Sequence, residues 1–444
     1  MAGKHYDAVI VGGGASGLAA AAELGMSSPG LDVLVLEKNE EPGRKIRATG
    51  SGRCNITNTA AAGYTEILKF FRRIGLMTRV YENGLVYPYS ESAADVAALL
   101  ISRAEELGVC IITGAEVTAV TANGRQDRSD GKGSREERSF EIRYSAKEAD
   151  RAGRVRMTQK SVTADYVILA LGGKAGPTYG TTGDGYRLAR ELGHSIVTPV
   201  PVLTSVECRE WDPEHRPQAM MLAGTRTRGV VSLYRHPDGD WERGVEVFEE
   251  PGEIQFTKYG LSGICVFNMT RFMRFDRRAG ESLEDFVIRA DLFPDGNIRD
   301  FLRDRRSNAF PGEKTGEVLR TVLKDNIAAY VLETAGGAAA CRHIGDKLLE
   351  DLNDAEIDAI GDAVHELTFH PAQLRGWKEA QATSGGVSLE EIDEVTGESR
   401  LVRDLYITGE LADRDFPCGG FNLSNAWLTG IGAARDIHDK IQDQ

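Results

Sequence analysis

The sequence contains no apolar stretch close to the roughly 18 residues that a membrane-spanning helix requires. Its first apolar run is interrupted by glycines within a few residues and has no small-residue cleavage site after it, so it predicts a strand rather than a signal peptide. Both absences argue against insertion in a membrane and against secretion. We therefore expect a cytoplasmic protein that does not bind membranes.

Cysteine is scarce, and the six cysteines form no metal-binding or disulfide pattern. No two of them make a C-x-x-C pair, and no histidine stands at ligand spacing, so we expect no bound metal. Cys110 and Cys265 lie in apolar runs and are expected in the core. Cys54 and Cys418 lie in glycine-rich motifs, where a small packed residue is favoured over a reactive thiol.

Basic residues are outnumbered, with 53 Lys and Arg against 67 Asp and Glu and a net charge of −14. This charge opposes nonspecific attraction to nucleic acid or to anionic membranes. The most basic stretch, residues 125–156, also contains many acids and is expected to be solvated, with residues 123–138 extending a hairpin. We therefore expect a small-molecule substrate and no nucleic-acid partner, and leave the oligomeric state open.

The chain begins with a strand, a G-x-G-x-x-G turn and an alanine-rich helix. Gly12 allows the tight turn, Gly14 lets the backbone approach a pyrophosphate, and Gly17 lets the helix pack close to the strand. The helix start at Ala15 and Ser16 offers unpaired N–H groups and a positive dipole end to the phosphates. This arrangement predicts a dinucleotide site.

A second strand follows the helix and ends in Glu37, with Lys38 next to it. A carboxylate at this position accepts a ribose hydroxyl and disfavours a 2′-phosphate, which favours FAD or NAD over NADP. A βαβ unit that binds nothing is the alternative, because a lone G-x-G-x-x-G is weak evidence. The order of strand, turn, helix, strand and terminal acid favours the nucleotide. Lys38 is a further cofactor-binding candidate.

Composition changes along the chain predict an α/β nucleotide-binding domain that is split by insertions. We expect its first part over residues 1–194, a β-rich insertion over 195–295, a helical insertion over 296–365, and the end of both the β insertion and the domain over 366–444. Ser92 is expected to cap a helix, with Asp95 three residues on. Two separate strands are expected at Val245–Phe248 and Glu253–Phe256, and no second G-x-G-x-x-G fingerprint is present.

Further motifs follow the glycine-rich turn in order, and they are Gly43–Lys45, Gly50–Asn58, Gly84–Pro88, Phe256–Gly263, Thr383–Val387, Gly409–Glu410 and Cys418–Leu423. With these motifs the chain resembles the bacterial FAD-dependent oxidoreductases that include BaiN-type bile-acid reductases and aminoacetone oxidases. The resemblance spans nearly the whole chain. It implies a Rossmann-type FAD-binding domain interrupted by an antiparallel β-barrel-like domain and a small helical domain.

The resemblance also implies which residues hold FAD. Beyond the first turn and Glu37, these are Arg44 and Lys45 near the phosphates, Cys54 and Asn55 near the ring, Val117 at adenine, Gly172, Gly409 and Glu410 at strand ends, and Gly420, Asn422 and Leu423 at the last helix. That helix start can stabilise negative charge at the flavin N1/C2 edge. A surface turn at Arg44–Lys45 and a tight strand bend at Thr383–Val387 stay open as alternatives.

The expected activity is reduction of an activated, enone-like C=C bond in a small organic substrate, with NADH or NADPH as electron donor. A flavin oxidase of a small amine or alcohol that produces hydrogen peroxide is the first alternative, and a non-catalytic flavin redox sensor is the second. Large insertions favour an enzyme over a sensor. Tyr87, Tyr259 and His370 are proton-donor candidates by type only, so the catalytic residues stay unassigned.

Overall fold

The computed structural model describes residues 4–123, 139–149, 155–212, 217–236, 244–275, 281–336 and 344–443. The chain divides into two compact units. Unit 1 comprises Met1–Pro201 and Gln381–Gln444, and unit 2 comprises Val202–Ala380. Cys341 and most of the predicted solvated stretch, residues 124–138 and 150–154, lie outside the described residues.

Unit 1 is built from helices and from mainly short strands. Its described helices are α1 (Ala15–Ser27), α2 (Arg44–Ala48), α3 (Tyr64–Arg73), α4 (Ala93–Glu106), α5 (Asp184–Glu191) and α11 (Phe421–Gln442). Its described strands are β1 (His5–Val11), β2 (Val33–Leu36), β3 (Thr57–Asn58), β4 (Thr78–Val80), β5 (Leu85–Pro88), β6 (Cys110–Ile112), β7 (Ala115–Ala122), β8 (Phe140–Ala149), β9 (Val155–Leu169), β10 (Ile196–Val202), β18 (Ala382–Val387) and β19 (Leu405–Ile407).

The main sheet of unit 1 has a parallel core in the order β6, β2, β1, β9, β19. β2 is fully buried and β1 nearly so, because helices cover both faces of such a sheet. β8 pairs antiparallel with the first part of β9, and β7 pairs with β8. The carboxyl ends of the parallel strands therefore lie at one edge, where the glycine-rich turn follows β1.

Helices α1 and α11 pack closely because α11 has glycine at the contact. A Cβ on Gly430 would lie 2.2 Å from the Ser16 carbonyl oxygen, so a larger residue would push the helices apart. The buried carboxylate of Glu23 on α1 accepts hydrogen bonds from Arg73 at 3.1 Å and from Arg435 at 3.0 Å. These contacts join α1, α3 and α11 into one layer.

Two local expectations can be compared directly with unit 1. The Ser92 hydroxyl accepts a hydrogen bond from the Asp95 N–H at 3.2 Å and caps α4, which confirms that prediction. The expectation that Cys110 is a core residue is wrong, because its side chain is exposed. Cys110 begins β6, which is an edge strand of the sheet, and the apolar run alone does not reveal the edge.

Unit 2 combines an antiparallel sheet with helices. Its described strands are β11 (Val206–Cys208), β12 (Arg226–Arg235), β13 (Val245–Phe256), β14 (Gly260–Ser262), β15 (Phe286–Asp291), β16 (Leu367–Phe369) and β17 (Pro371–Leu374). Its described helices are α6 (Ile264–Met269), α7 (Ile298–Ser307), α8 (Thr315–Leu319), α9 (Asp325–Ala335) and α10 (Asp354–His365).

The strands of unit 2 form one sheet in the order β16, β15, β12, β13, β14, β11, β17. The two end strands, β16 and β17, are separated in the chain only by His370, so the chain joins the two ends of the sheet order directly. Helices α7 to α10 share one apolar core with this sheet.

The expectation of two strands at Val245–Phe248 and Glu253–Phe256 is wrong, because β13 runs through both. Pro251 and Gly252 do not interrupt it, since they stay paired with Val230 and Gly229 of β12, while β14 pairs only with the last two residues of β13. Gly252 is also where α6 packs, because a Cβ on this glycine would lie 2.9 Å from the Cβ of Cys265.

In the described ranges of both units, no helix combines the length and apolar composition that crossing a bilayer requires.

Candidate functional site

The turn after β1 has the geometry of a phosphate-binding loop. Gly12 has φ of +107°, and a Cβ there would lie 2.5 Å from the Ala170 carbonyl oxygen. A Cβ on Gly17 would lie 2.0 Å from the Gly12 oxygen, so α1 starts directly against the turn. Gly14 is different, because the nearest atom to its Cβ would be the Ala170 oxygen at 4.0 Å. The backbone is therefore crowded at Gly12 and Gly17, whereas the space beside Gly14 is open.

The start of α1 has features that favour an anion. Gly14 is its N-cap and supplies no side-chain hydrogen bond, and the first turn, from Ala15, contains no acidic residue. Ser16 is buried, and a Cβ on Gly409 would lie 2.9 Å from its Oγ, which places the end of β19 beside this turn. Gly409 has φ of +65° and donates its N–H to Thr429 Oγ1 at 2.8 Å.

Glu37 is held at the end of β2 by three hydrogen bonds. Its Oε2 accepts from the Gly13 N–H at 2.8 Å. Its Oε1 accepts from the backbone N–H and side-chain amide of Asn39, at 2.8 and 2.6 Å. The carboxylate is buried and fixed beside the turn, with one lone pair of Oε2 left for a ribose hydroxyl. Sequence reasoning missed Asn39, although a polar side chain two residues after the acid was a usable signal.

Three cations were predicted near the cofactor, and the structure gives each an internal partner. Lys38 pairs with Asp184 and donates to Thr182 Oγ1 at 2.7 Å. Burial raises the pKa of Asp184, but the hydrogen bonds from Lys38 and Thr182 outweigh it and the net pKa is lowered. Arg44 donates to Asn39 Oδ1 at 3.2 Å. The contacts of Lys38 and Arg44 thus stabilise the residues at the end of β2.

Lys45, the third cation, lies within 2.9 Å of Glu410 Oε2, so these two predicted site residues are brought together. Glu410 Oε1 also accepts the Thr383 N–H at 2.8 Å. A Cβ on Gly173 would lie 2.4 Å from Thr383 Oγ1 and 2.5 Å from Glu410 Oε1, so glycine is required there. Gly172, just before it, has φ of +70°. The ends of β9 and β19 therefore meet in one polar cluster.

Thr383 also belongs to this cluster, and from the sequence it was recognised only as part of a motif. Its Oγ1 accepts hydrogen bonds from the N–H groups of Lys174 and Ala175, at 2.8 and 3.0 Å. The motif Thr383–Val387 is therefore a buried strand whose first side chain orders the loop after β9. Burial, with Glu410 nearby, raises the pKa of the Tyr186 hydroxyl in the same region.

The loop from Gly50 to Asn58 lies against the start of α11. Thr57 Oγ1 and Ser424 Oγ are 2.7 Å apart, and Trp427 Nε1 donates to the Ile56 carbonyl at 2.9 Å. Within the loop, Ser51 and Cys54 adopt left-handed backbone conformations, with φ of 57° and 60°. Such strain in residues other than glycine persists only where surrounding contacts hold it.

The predicted ring-end residues differ in what they can offer a ligand. Cys54 is fully buried, and burial raises the pKa of its thiol to about 12, so it is a packed thiol and not a thiolate. Asn422 uses its amide inside the chain, donating to the Phe416 carbonyl at 2.8 Å. Leu423 packs in the apolar cluster that contains Cys54. Asn55 is buried, but its Oδ1 has no hydrogen-bond partner among the described residues.

Val117 lies on β7, where it pairs with Tyr144 and is buried. The first residue of β7 contacts Glu37, because the Ala115 N–H donates to the Glu37 carbonyl at 2.9 Å. The structure therefore connects Val117 to Glu37 through the start of β7, and its contact with adenine stays a prediction.

The proton-donor candidates occupy different surroundings. In unit 1, Tyr87 is buried with the Arg53 guanidinium 4.8 Å from its ring centroid. In unit 2, Arg375 lies 4.6 Å from the ring centroid of Tyr259. His370, also in unit 2, has Nδ1 2.6 Å from Oε1 of Glu210, a buried carboxylate that sequence reasoning missed.

No group of three or more His, Cys, Asp or Glu side chains in the described part of the chain could hold a metal ion.

The site residues fit FAD by two independent observations. The open face of Gly14, beside a helix start without acids, suits a pyrophosphate. The buried, unpaired Asn55 Oδ1 suits a polar ring that can donate to it. A family model described as the HI0933-like protein Rossmann domain matches residues 6–65 and 60–436. The chain belongs to this HI0933-like family. The resemblance stated from the motifs is thereby confirmed.

Similar proteins cover nearly all of the HI0933-like chain. A 3-dehydro-bile acid delta(4,6)-reductase from Clostridium scindens is 32% identical over 96% of this chain and 97% of that protein. A ribosomal RNA dihydrouridine synthase from Escherichia coli is 24% identical over 98% of both. A flavocytochrome c3 fumarate reductase structure covers 99% of this chain and 79% of that one, with 13% identity and a TM-score of 0.47.

The protein is an FAD-dependent oxidoreductase with a Rossmann-type FAD-binding domain and an antiparallel sheet domain. The predicted fold class and the prediction of a flavoenzyme are confirmed.

Proposed function

We propose that the protein reduces a C=C bond conjugated to a carbonyl group in a small organic substrate, using NADH or NADPH as electron donor. The observation that carries this proposal is the 32% identity over 96% of the chain to a delta(4,6)-reductase of a 3-dehydro-bile acid. That name describes reduction of double bonds conjugated to a ketone. The name of the dihydrouridine synthase, 24% identical, describes saturation of a C=C bond next to a carbonyl in a pyrimidine.

The residues of unit 1 support a role in holding and tuning the cofactor. FAD, when bound, supplies hydride chemistry at its ring. Glu37 and the turn at Gly14 would hold the adenosine and phosphate end of FAD, and the start of α11 would stabilise negative charge at the ring. Lys45, paired with Glu410, adds a positive charge beside the same strand ends.

We propose that the nicotinamide donor binds without a Rossmann unit of its own. The sequence contains one G-x-G-x-x-G fingerprint that follows a strand, and in our account FAD occupies it. A donor without its own nucleotide domain binds transiently, so we expect saturation only at high donor concentration.

We propose that the substrate is a small molecule rather than RNA. We also propose that the protein acts in the cytoplasm and does not bind membranes. The net charge of −14 opposes binding to a phosphate backbone. Three of the four arginines of α7 are also neutralised by acids of α10 in ion pairs, which are Arg303 with Asp358 at 2.6 Å, Arg306 with Asp354 at 2.8 Å, and Arg299 with Asp362.

The oxidase and sensor alternatives predict different products. An oxidase of an amine or alcohol reduces the flavin without nicotinamide and releases hydrogen peroxide in air. A sensor shows neither steady turnover nor a saturable donor.

A product assay separates these functions. FAD-loaded protein is incubated without oxygen with NADH or NADPH and, in parallel, with a conjugated cyclic ketone, a uridine-containing RNA oligonucleotide and a small primary amine. The proposal predicts loss of the C=C bond in the ketone, detected by mass spectrometry as a gain of two hydrogens. Reduction of the RNA alone would show that the substrate is RNA and not a small ketone. Hydrogen peroxide formed from the amine in air would establish the oxidase.

A further inference from the structure

The side-chain oxygen of Asn55 is a buried hydrogen-bond acceptor that the described protein does not use. Asn55 retains 8% exposure, and its Oδ1 has no partner among the described residues. Nearly all buried side-chain oxygens in proteins accept a hydrogen bond, because leaving one unpaired is unfavourable. A ligand that brings an N–H group to this position would satisfy it.

This oxygen points at the start of α11. A Cβ on Gly420, the N-cap, would lie 3.1 Å from Asn55 Oδ1 and 2.8 Å from the Thr57 carbonyl carbon, so only glycine leaves the space. α11 has 22 residues, its N-cap makes no side-chain hydrogen bond, and its first turn contains no acid. A strong acceptor and an electropositive helix end therefore lie side by side.

Asn55 is held in this position by its neighbours in the loop. Thr57 is hydrogen-bonded to Ser424 at 2.7 Å, and Ile56 accepts from Trp427 Nε1 at 2.9 Å. Both contacts join the residues that follow Asn55 to the first two turns of α11. The acceptor and the helix end thus form one preorganised subsite within unit 1.

The ligand edge that complements this subsite has an N–H donor next to a carbonyl oxygen that carries partial negative charge. The flavin ring has such an edge, where its N3–H lies between two carbonyl groups. We propose that Asn55 Oδ1 accepts the hydrogen bond of flavin N3–H while the start of α11 receives the neighbouring C2 carbonyl. The subsite then selects a flavin whose N3 is protonated and unsubstituted. This inference rests on FAD binding and not on the identity of the substrate.

Binding of two cofactors to the apoprotein tests the inference without measuring turnover. FAD and N3-methyl-FAD are titrated into apoprotein, and the quenching of flavin fluorescence gives each Kd. Wild type should prefer FAD by about tenfold or more, because the methyl group removes the donor and leaves Oδ1 unpaired. Asn55→Ala should bind the two within about twofold of each other. Equal binding by wild type, or a preference kept by Asn55→Ala, overturns the inference.

Asn58→Ala is the matched control from the same loop. The Asn58 side chain is satisfied inside the protein, donating to the Gly419 carbonyl at 3.2 Å and accepting from the Ala60 N–H at 2.9 Å. This variant should keep the preference for FAD even if it loses stability. Loss of the preference in Asn58→Ala would assign it to loop order and overturn the role of Asn55.

A spectroscopic titration covers the case in which Asn55→Ala does not fold. Asn55→Leu keeps the side-chain volume and removes the acceptor, while α11 and the burial of the site stay the same. A hydrogen bond from the neutral N3–H to Asn55 disfavours ionisation of N3, so the absorbance change for N3 deprotonation should occur at higher pH in wild-type holoprotein than in Asn55→Leu holoprotein. The same pH in both, or a lower pH in wild type, overturns the inference.

Discussion

Glu37 and Gly13 are joined by a 2.8 Å hydrogen bond from the Gly13 backbone N–H to the Glu37 carboxylate. This bond joins the end of β2 to the phosphate-binding turn after β1. It therefore fixes the position of the expected ribose acceptor relative to that of the expected phosphate site. A carboxylate already oriented by the protein loses little entropy when a ribose hydroxyl binds to it.

Replacement of this carboxylate should weaken FAD binding. Glu37→Ala removes a charged acceptor worth ~1.5–3 kcal/mol, so we expect the Kd for FAD to rise roughly tenfold to hundredfold in a fluorescence titration. Glu40→Ala, at an exposed position three residues on, is the control and should bind FAD like wild type. Unchanged affinity in Glu37→Ala would remove Glu37 from the ribose site.

Substitutions of two glycines in the turn should have different effects on FAD affinity and on stability. Gly14→Ala places a methyl group in open space in the apoprotein, so its unfolding temperature should match that of wild type while its FAD affinity falls. Gly17→Ala places Cβ 2.0 Å from the Gly12 oxygen and should cost ~2–4 kcal/mol of stability as well as affinity.

Thermal unfolding of both apoproteins and FAD titration of both variants check this prediction. If Gly14→Ala binds FAD normally, the phosphates do not approach the turn at that position.

Much of this site was predictable because its signals are local in sequence. The turn at Gly12, the acid at Glu37 and the cap at Ser92 each depend on residues a few positions apart, and the structure has them in the expected geometry. Which group a side chain hydrogen-bonds to cannot be predicted in the same way, because the two partners are brought together by the fold. Asn422 resembles a ligand-binding residue in sequence, yet its amide bonds the Phe416 carbonyl.

Tertiary contacts explain the remaining differences. Lys38 is predicted at the cofactor, and the sequence does not reveal that Asp184, far along the chain, pairs with it. Cys110 was expected inside, but the order of strands places it at an edge. The unpaired Asn55 oxygen could be recognised only once its surroundings were known, because a sequence does not show which acceptors lack a donor.

A buried histidine in unit 1 should make stability depend on pH. His194 Nδ1 lies 3.0 Å from Glu391 Oε2, and its Nε2 lies 3.0 Å from Ser399 Oγ. Burial lowers the pKa of His194, although the hydrogen bond with Glu391 opposes the shift. The unfolded chain then binds the proton more readily, so stability should fall as pH drops below about 6.5.

Glu391 adds a second pH window. Burial raises its pKa, but hydrogen bonds with Ser195 and His194 outweigh this and lower it, so its stabilisation is lost only at more acidic pH, below about 4.5. Unfolding temperatures between pH 5 and 8 should therefore report the effect of His194 and not that of Glu391. His194→Gln should flatten that dependence, and an equally steep dependence in the variant would assign it to other groups.

The cysteines should differ in reactivity toward a thiol reagent. Burial raises the pKa of Cys54 to about 12 and that of Cys265 to about 11, and Cys208 is fully buried with a raised pKa. Mass spectrometry of native protein treated with iodoacetamide should find Cys110 modified first and these three protected. Early modification of Cys54 would contradict its assignment as a packed thiol.

Reduction and reoxidation of the bound flavin test the central claim most directly. Protein loaded with FAD is mixed without oxygen with NADH or NADPH, and the absorbance of oxidised flavin is followed before and after addition of a conjugated cyclic ketone. We expect fast, saturable bleaching by one donor and full recovery of the absorbance with one ketone reduced per flavin. Flavin that neither donor bleaches, or that recovers only with oxygen, would contradict it.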